Sequence, residues 1–243
     1  MTVSVIMPCY IFNNELMQLT KNAIESVKSN AELIIVDNNS LIGGGYLRNE
    51  ANIYIKNQEN LGYPKAINQG IALSHGSILA IANNDIRVSA NWQIVSQLIL
   101  TGDPLIGSVH FRMIDYDQPM EYGNRLWVKG RERWCTASFF VIRRKAFIEY
   151  DVEYGLGGYD DWDFFHRLRH VNHWKTVYTT RACYQHKHSS TLKMLDDGKS
   201  RQLRDNTNRE LFKQKHGQYA EEIWQKLYPD QMKQNYYAFF NII

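Results

Sequence analysis

Short apolar runs alternate with stretches of helical periodicity through the first ninety or so residues of the chain. Residues 3–7, VSVIM, form a β-branched run closed by Pro8, and Leu16, Leu19, Ala23, Ile24 and Val27 then recur at helical spacing. Residues 32–36, ELIIV, are a second continuous apolar run, ended by the turn and cap residues Asp37, Asn38, Asn39 and Ser40. Residues 53–55 predict a third strand. Residues 64–73 predict a helix carrying Ala66, Ile67, Gly70 and Ile71, and SILAIA, residues 77–82, a fourth strand. Strands alternating with helices predict an α/β fold with a mostly parallel sheet flanked by helices. Ligands of such sheets gather beyond the carboxyl ends of the strands, so residues 8–10, 37–40 and 83–85 are expected to converge on one edge.

Beyond Asp85 the pattern loosens. A helix is expected over 92–100, strands over 105–111 and 138–142, and a helix over 161–170. Strand-like pieces follow at 176–178 and 182–185, then one or two helices over 203–227, broken before Pro229.

Composition narrows the class. The 243 residues fit one large α/β domain, or a nucleotide-binding half with a smaller half fused to it. With 44% hydrophobic and 22% charged residues, disorder, collagen and a disulfide scaffold are excluded. A formal charge of +3 is too small to define a nucleic-acid binder. Cys9, Cys135 and Cys183 are an odd set without a CxxC pair, read as reduced thiols that fill the core. The start MTVSVIMPCY has no basic leader region, and no run reaches the ~18 apolar residues of a membrane span. A cytoplasmic location is therefore expected. The apolar tail YYAFFNII, residues 236–243, could rest peripherally on a membrane surface or pack back on the body.

Four polar clusters carry candidate chemistry. Asp85, in NNDI directly after SILAIA, is a candidate ligand for Mn²⁺ or Mg²⁺, because hard cations prefer carboxylate oxygen. Asn83, Asn84 and Asp85 are equally good turn formers. In GLGGYDDWDFFHRLR, residues 155–169, a glycine-rich turn leads into Asp160, Asp161 and Asp163 at a helix start, where carboxylates suit the helix dipole. Asp163 and Arg167 can pair four residues apart, and Asp161 can project forward as a general base. The alternative is a helix N-cap at Asp160 or Asp161. His186 and His188 lie on one face of a strand-like piece, and either imidazole could complete a metal shell begun by Asp85. Asp37 can accept from a base or ribose, or close an Asx turn. Gly43 to Gly45 lack a phosphate-loop context and read as a flexible loop.

Taken in order, VSVIMPCY, ELIIVDNNS, NLGYPKAINQGIALSHGSILAIANND, CTASFFVIRRKAF, GLGGYDDWDFF and the late His resemble the family 2 glycosyltransferases of the GT-A fold. The resemblance covers residues 3–190 and is most specific from Asn60 to Asp85. It implies a Rossmann-like nucleotide-sugar-binding half (residues 1–110), an acceptor-binding and catalytic half (111–190) and a C-terminal helical extension (191–243). It implies that Pro8, Tyr10 and Asp37 line the nucleotide site, joined in the donor set by Asn60, Lys65, Asn83 and Asn84. Asp85 falls on the last position of the family's DxD metal motif, whose first position is Asn83 here. That departure removes one carboxylate from a Mn²⁺ or Mg²⁺ site completed by His186. Asp161 matches the family's base, with Asp160 as the alternative. The implied reaction is inverting transfer from a nucleotide diphosphate sugar, with a family preference for uridine, to an acceptor hydroxyl.

From Met120 to Tyr150, Arg125, Lys129, Arg131, Arg133, Arg143, Arg144 and Lys145 interleave with Trp127 and Trp134. Such a stretch would suit a saccharide, a glycolipid or another polyanion as acceptor, with sugar transfer to hydroxylated bases in DNA as an alternative. A binding module that keeps the fold without turnover is the second alternative, raised by Asn83.

Overall fold

The computed structural model describes residues 2–120, 123, 128–129, 137–187, 199–218 and 220. His188, Cys135, the tail 236–243 and most of the basic stretch, Arg125, Trp127, Arg131, Arg133 and Trp134 included, lie outside them.

The first half runs β1 (Val3–Cys9), α1 (Asn14–Val27), β2 (Glu32–Asp37), α2 (Gly44–Glu50), β3 (Ile53–Lys56), α3 (Tyr63–Leu73) and β4 (Ile78–Ala82). The second runs β5 (Ile86–Val88), α4 (Trp92–Gly102), β6 (Ile106–Asp115), β7 (Val128–Lys129), β8 (Phe139–Arg143), α5 (Asp160–His166), β9 (Lys175–His186) and α6 (Lys199–His216). One sheet joins them in the order β3-β2-β1-β4-β8-β6-β9-β5, with β7 added beside β9. β1 to β4 pair in parallel, and β8 enters antiparallel to β4. The parallel strands are in register, with Cys9 opposite Asp37 and Asp37 opposite Lys56, so their carboxyl ends form one rim.

Local chemistry explains the first half. The Asn13 side chain accepts from Leu16 N at 2.9 Å and caps α1, whose Leu16, Leu19, Ala23, Ile24 and Val27 are all buried. Each such aliphatic side chain contributes about 1.5–3 kcal/mol on burial. On the other face of the sheet, a Cβ at Gly70 would lie 2.6 Å from Ile6 Cγ2, so α3 sits closer to β1 than any side chain permits. The same face carries an aromatic core of Phe140, Tyr150, Phe164, Phe165 and Phe212 that joins β8 to α5 and α6.

Several sequence expectations change. Gly43 to Gly45 are not a flexible loop. Gly43, at φ 82°, is the N-cap of α2, and a Cβ there would meet Met17 Sδ at 2.6 Å. The pieces at 176–178 and 182–185 are two limbs of β9, separated by a register shift where Phe111 pairs with Thr179 but Arg112 with Cys183. The helix expected over 161–170 is α5 followed by a π-helical turn, Arg167–Val171. Cys9 and Cys183 are buried, as core fillers should be.

Two cations expected on a polyanion-binding surface are structural instead. Arg143 donates to the carbonyls of Leu100, Asp103 and Ile106, closing the end of α4. Arg144 donates to Gly76 O at 2.6 Å and to Ser74 O and Oγ, closing the end of α3. Their guanidinium groups satisfy carbonyls that helix ends leave without partners. Among the described residues no helix is long and apolar enough to cross a membrane.

Candidate functional site

The rim of the parallel strands begins at β1 and β2. Pro8 and Tyr10 are half-buried there, and the Tyr10 ring lies 5.7 Å from that of Phe12. Asp37 is fully buried. One carboxylate oxygen accepts from Ser40 N, three residues on, at 2.7 Å, and the other accepts from Tyr54 Oη at 2.6 Å with Lys56 Nζ 3.8 Å away. Both local readings of Asp37 are thus compatible: the carboxylate closes a turn and still sits at the rim.

A polar network ties the end of β2 to the next loop. Asn57 Nδ2 donates to Asn38 Oδ1 at 2.8 Å and Gln69 Oε1 at 2.9 Å, while Asn38 Nδ2 donates to Gly62 O at 3.3 Å. Asn60 Oδ1 accepts from Gly62 N at 3.0 Å, and Lys65 is exposed on the first turn of α3. Gly62, at φ 85°, touches the glycine-rich turn: a Cβ there would lie 2.2 Å from Gly155 O. No other residue type fits.

The second cluster lies where β4 turns into β5. His186 pairs with Ile86 across the β5–β9 ladder, which brings its Nε2 to 3.3 Å from Asp85 Oδ1. Asp85 and His186 are 5% and 8% exposed, so two residues a hundred positions apart share one near-dry site. Ser138 Oγ lies 3.3 Å from His186 Nδ1, and Ser138 O accepts from Asn83 N at 2.8 Å. Asn84 is turned away, its Nδ2 donating to Thr20 Oγ1 at 2.9 Å on α1. Among the described residues no group of three or more His, Cys, Asp or Glu could hold a metal. What is present is a carboxylate, an imidazole and the Asn83 amide oxygen. Asn83 Oδ1 is buried without a hydrogen bond, and Asp85 Oδ1 has the His186 ring 3.3 Å away but outside hydrogen-bond geometry. Buried oxygens left in that state are costly, and a hard divalent cation is a partner that fits them.

The third cluster opens α5. Gly157, Gly158 and Tyr159 have φ of 118°, 94° and 65°, and no side chain caps the helix at Tyr159. Instead Asp160 Oδ1 reaches back to accept from Gly158 N at 2.6 Å, while Asp161 Oδ1 accepts from Trp162 N at 2.9 Å. Asp160 is buried and Asp161 partly exposed. Burial raises the Asp160 carboxyl above the ordinary range, and burial with the Asp160 charge beside it raises Asp161. Asp163 is shifted the other way: burial is outweighed by hydrogen bonds from His216 and Arg167. The expected Asp163–Arg167 pair is formed, with Arg167 Nε 2.7 Å from Oδ2.

Tyr63 joins the second and third clusters. Its hydroxyl donates to Ala137 O at 2.9 Å, next to Ser138, and its ring lies edge-on to Tyr150 at 5.7 Å. Burial, then the Asp160 and Asp161 charges, hold that hydroxyl protonated. Sequence reasoning missed Tyr63, Tyr54, Ser138 and Asn208. Tyr63 stood inside the block from Asn60 to Asp85, whereas a single Asn on the polar helix α6 carries no signal.

The parallel block continued by an antiparallel extension, with helices on both faces, is a GT-A fold, and solved structures share that fold. TarS from S. aureus, residues 1–349 in complex with UDP, is similar with a TM-score of 0.61 at 16% identity over 76% of this chain. GalNAc-T7 with UDP, GalNAc and Mn²⁺ gives 0.60 at 14% over 76%. The mannosyltransferase PcManGT from Pyrobaculum calidifontis with GDP-Man and Mn²⁺ gives 0.60 at 15% over 78%. This chain spans 59%, 43% and 58% of those chains, less than two thirds of each. No curated protein matches the sequence. The family comes from the sequence itself: residues 4–151 match Glycosyl transferase family 2, and the chain belongs to that family.

Proposed function

We propose that this glycosyltransferase moves a sugar from a nucleoside diphosphate sugar, with uridine as the base, to an acceptor hydroxyl by a single displacement that inverts the anomeric carbon. The observation that carries the reading is the continuity of the rim. Asp85 meets His186, His186 meets Ser138, and Tyr63 links the neighbouring Ala137 to the turn before Asp160 and Asp161.

Pro8, Tyr10 and Asp37 would border the nucleoside, with Asn60, Lys65 and Asn83 along the same rim; Asn84, bonded to Thr20 on α1, falls out of the donor set. Asp85, His186 and the Asn83 oxygen would hold Mn²⁺ or Mg²⁺. When bound, that cation neutralises charge on the departing diphosphate. Asp161 takes the proton from the acceptor hydroxyl, since it is the more exposed of the pair and its basicity is raised by burial and by Asp160. Asp160, pinned to Gly158 N, holds the turn and raises its neighbour. With Arg143 and Arg144 engaged in helix ends, support for a polyanionic acceptor is reduced to Lys129, the exposed Lys145 and residues outside the described ones.

Donor turnover with added Mn²⁺ tests the reading. UDP released from UDP-sugars by the intact chain, and lost in Asp161→Asn, is the expected result. A stabilising shift with nucleoside diphosphates but no turnover would leave a binding module, and absence of both would leave a different donor class.

A further inference from the structure

The turn that delivers the carboxylate pair does not hold its own shape. Gly155, Gly157, Gly158 and Tyr159 all have positive φ, so the segment forms neither a helix nor a ladder, and its carbonyls need partners from elsewhere. They find one amide. Asn208 Nδ2, on α6, donates to Tyr154 O at 3.1 Å, Gly157 O at 3.0 Å and Gly158 O at 2.8 Å. Asn208 is only 5% exposed. Gly158 is the residue whose N–H is accepted by Asp160. One side chain therefore reaches the carboxylate pair through a single peptide unit.

We propose that Asn208 is a positioning residue for the Asp160–Asp161 pair, which makes α6 a structural part of the catalytic centre. The proposal rests on the reading of Asp161 as base. Neighbouring contacts of α6 are of another kind: His216 Nε2 lies 2.7 Å from Asp163 Oδ1, and Phe212 packs on Tyr159 and Trp162. They dock the helix without touching the carbonyls of the turn. Loss of the Asn208 amide frees the Gly157 and Gly158 carbonyls, while Tyr154 O keeps the Gly157 N–H, at the point where the backbone has least internal support, and the carboxylates shift with it. Misplacement of a reacting group by about 1 Å is worth on the order of 100-fold in rate.

The test measures kcat and KM for donor turnover in Asn208→Ala, in Asn208→Leu, which keeps the buried volume should the alanine variant fold poorly, and in His216→Ala. Each is combined with Asp161→Asn and assayed well below its own melting temperature. We expect kcat to fall about 10- to 100-fold in both Asn208 variants, with donor KM within about threefold. In the Asp161→Asn background the further loss should shrink to less than about threefold, because a base that is absent cannot be misplaced. His216→Ala should lower the melting temperature and leave kcat near wild type. Unchanged kcat in both Asn208 variants, or an equal loss with and without Asp161, overturns the proposal. Full turnover by Asp161→Asn alone would overturn the base assignment, a separate result.

Discussion

The donor rim and the acid turn are built by different rules. At the rim, β1, β2, β3 and β4 follow one another in the chain and pair in parallel, so each strand end arrives beside its neighbour with only short-range instructions. The acid turn gathers four residues of positive φ, two of which, Gly157 and Gly158, have their carbonyls bonded by a helix some fifty residues further on. The rim is thus a product of the fold's default geometry. The turn is a conformation its own sequence cannot sustain, maintained because surrounding structure over-determines it. Regions of this second kind gather where function needs an unusual arrangement.

Removing the Asp161 carboxylate, the proposed base, should give the largest effect and separate activity from stability. Asp161→Asn should lower kcat by about 10²- to 10⁴-fold in donor transfer assays, the usual contribution of a general base. The same change should raise the melting temperature at neutral pH. The folded-state pKa of Asp161 is raised, so the folded chain holds a proton that the unfolded chain has lost. Its stabilisation is complete below the unfolded value near 3.8 and is lost as pH rises through the folded value. A neutral amide escapes that loss. In the wild type the acidic limb of kcat/KM should lie above pH 3.8 for the same reason. A melting temperature that falls in Asp161→Asn would show that the carboxylate is structural.

Joining the two regions is the task of Gly62, and breaking it should damage both. Gly62→Ala combines a left-handed φ of 85° with a Cβ 2.2 Å from Gly155 O. Strain of about 1–3 kcal/mol is expected, read as a lower urea midpoint, together with weaker nucleotide binding because Asn38 donates to the Gly62 carbonyl. Unaltered stability would mean that the contact between the loops is dispensable.

Arg144 sharpens the contrast from the structural side. Arg144→Ala removes the donor to the Ser74 and Gly76 carbonyls just past α3 and should cost about 1.5–3 kcal/mol, with kcat measured on the folded protein unchanged. A raised acceptor KM without a stability loss would restore the reading of this residue as part of a polyanion-binding surface.

Periodicity alone revealed the rim and hid the turn. The apolar runs 3–7, 32–36 and 77–82 and the stripe from Leu16 to Val27 delimit β1, β2, β4 and α1 nearly residue for residue, because each pattern reflects burial against its immediate neighbours. Asp85 and His186 were legible as chemistry, yet their meeting depends on the β5–β9 pairing, which no local pattern encodes. Arg143 and Arg144 misled because a guanidinium capping a helix end reads, in sequence, like one facing solvent. Gly43 misled in the same way, since a glycine forced by a neighbouring Met17 resembles a glycine in a loose loop. Asn208 gave no signal, its partners being backbone carbonyls that any sequence supplies.

The smallest expected effect concerns the rim's missing carboxylate. Asn83 Oδ1 and Asp85 Oδ1 are both buried, but only Asp85 carries charge. A divalent cation there would meet one carboxylate from the protein and depend on the diphosphate for the rest of its charge. Cation and nucleotide should then bind as a linked pair, each raising the affinity of the other by the same factor. Asn83→Asp restores the second charge and should tighten Mn²⁺ binding in the absence of nucleotide by about tenfold, on the order of 1.4 kcal/mol. The loss of the free Mn²⁺ paramagnetic signal, titrated with and without UDP, reads both quantities. Equal Mn²⁺ affinity in wild type and variant would remove Asn83 from the cation's surroundings and leave its buried oxygen to be explained by the fold alone.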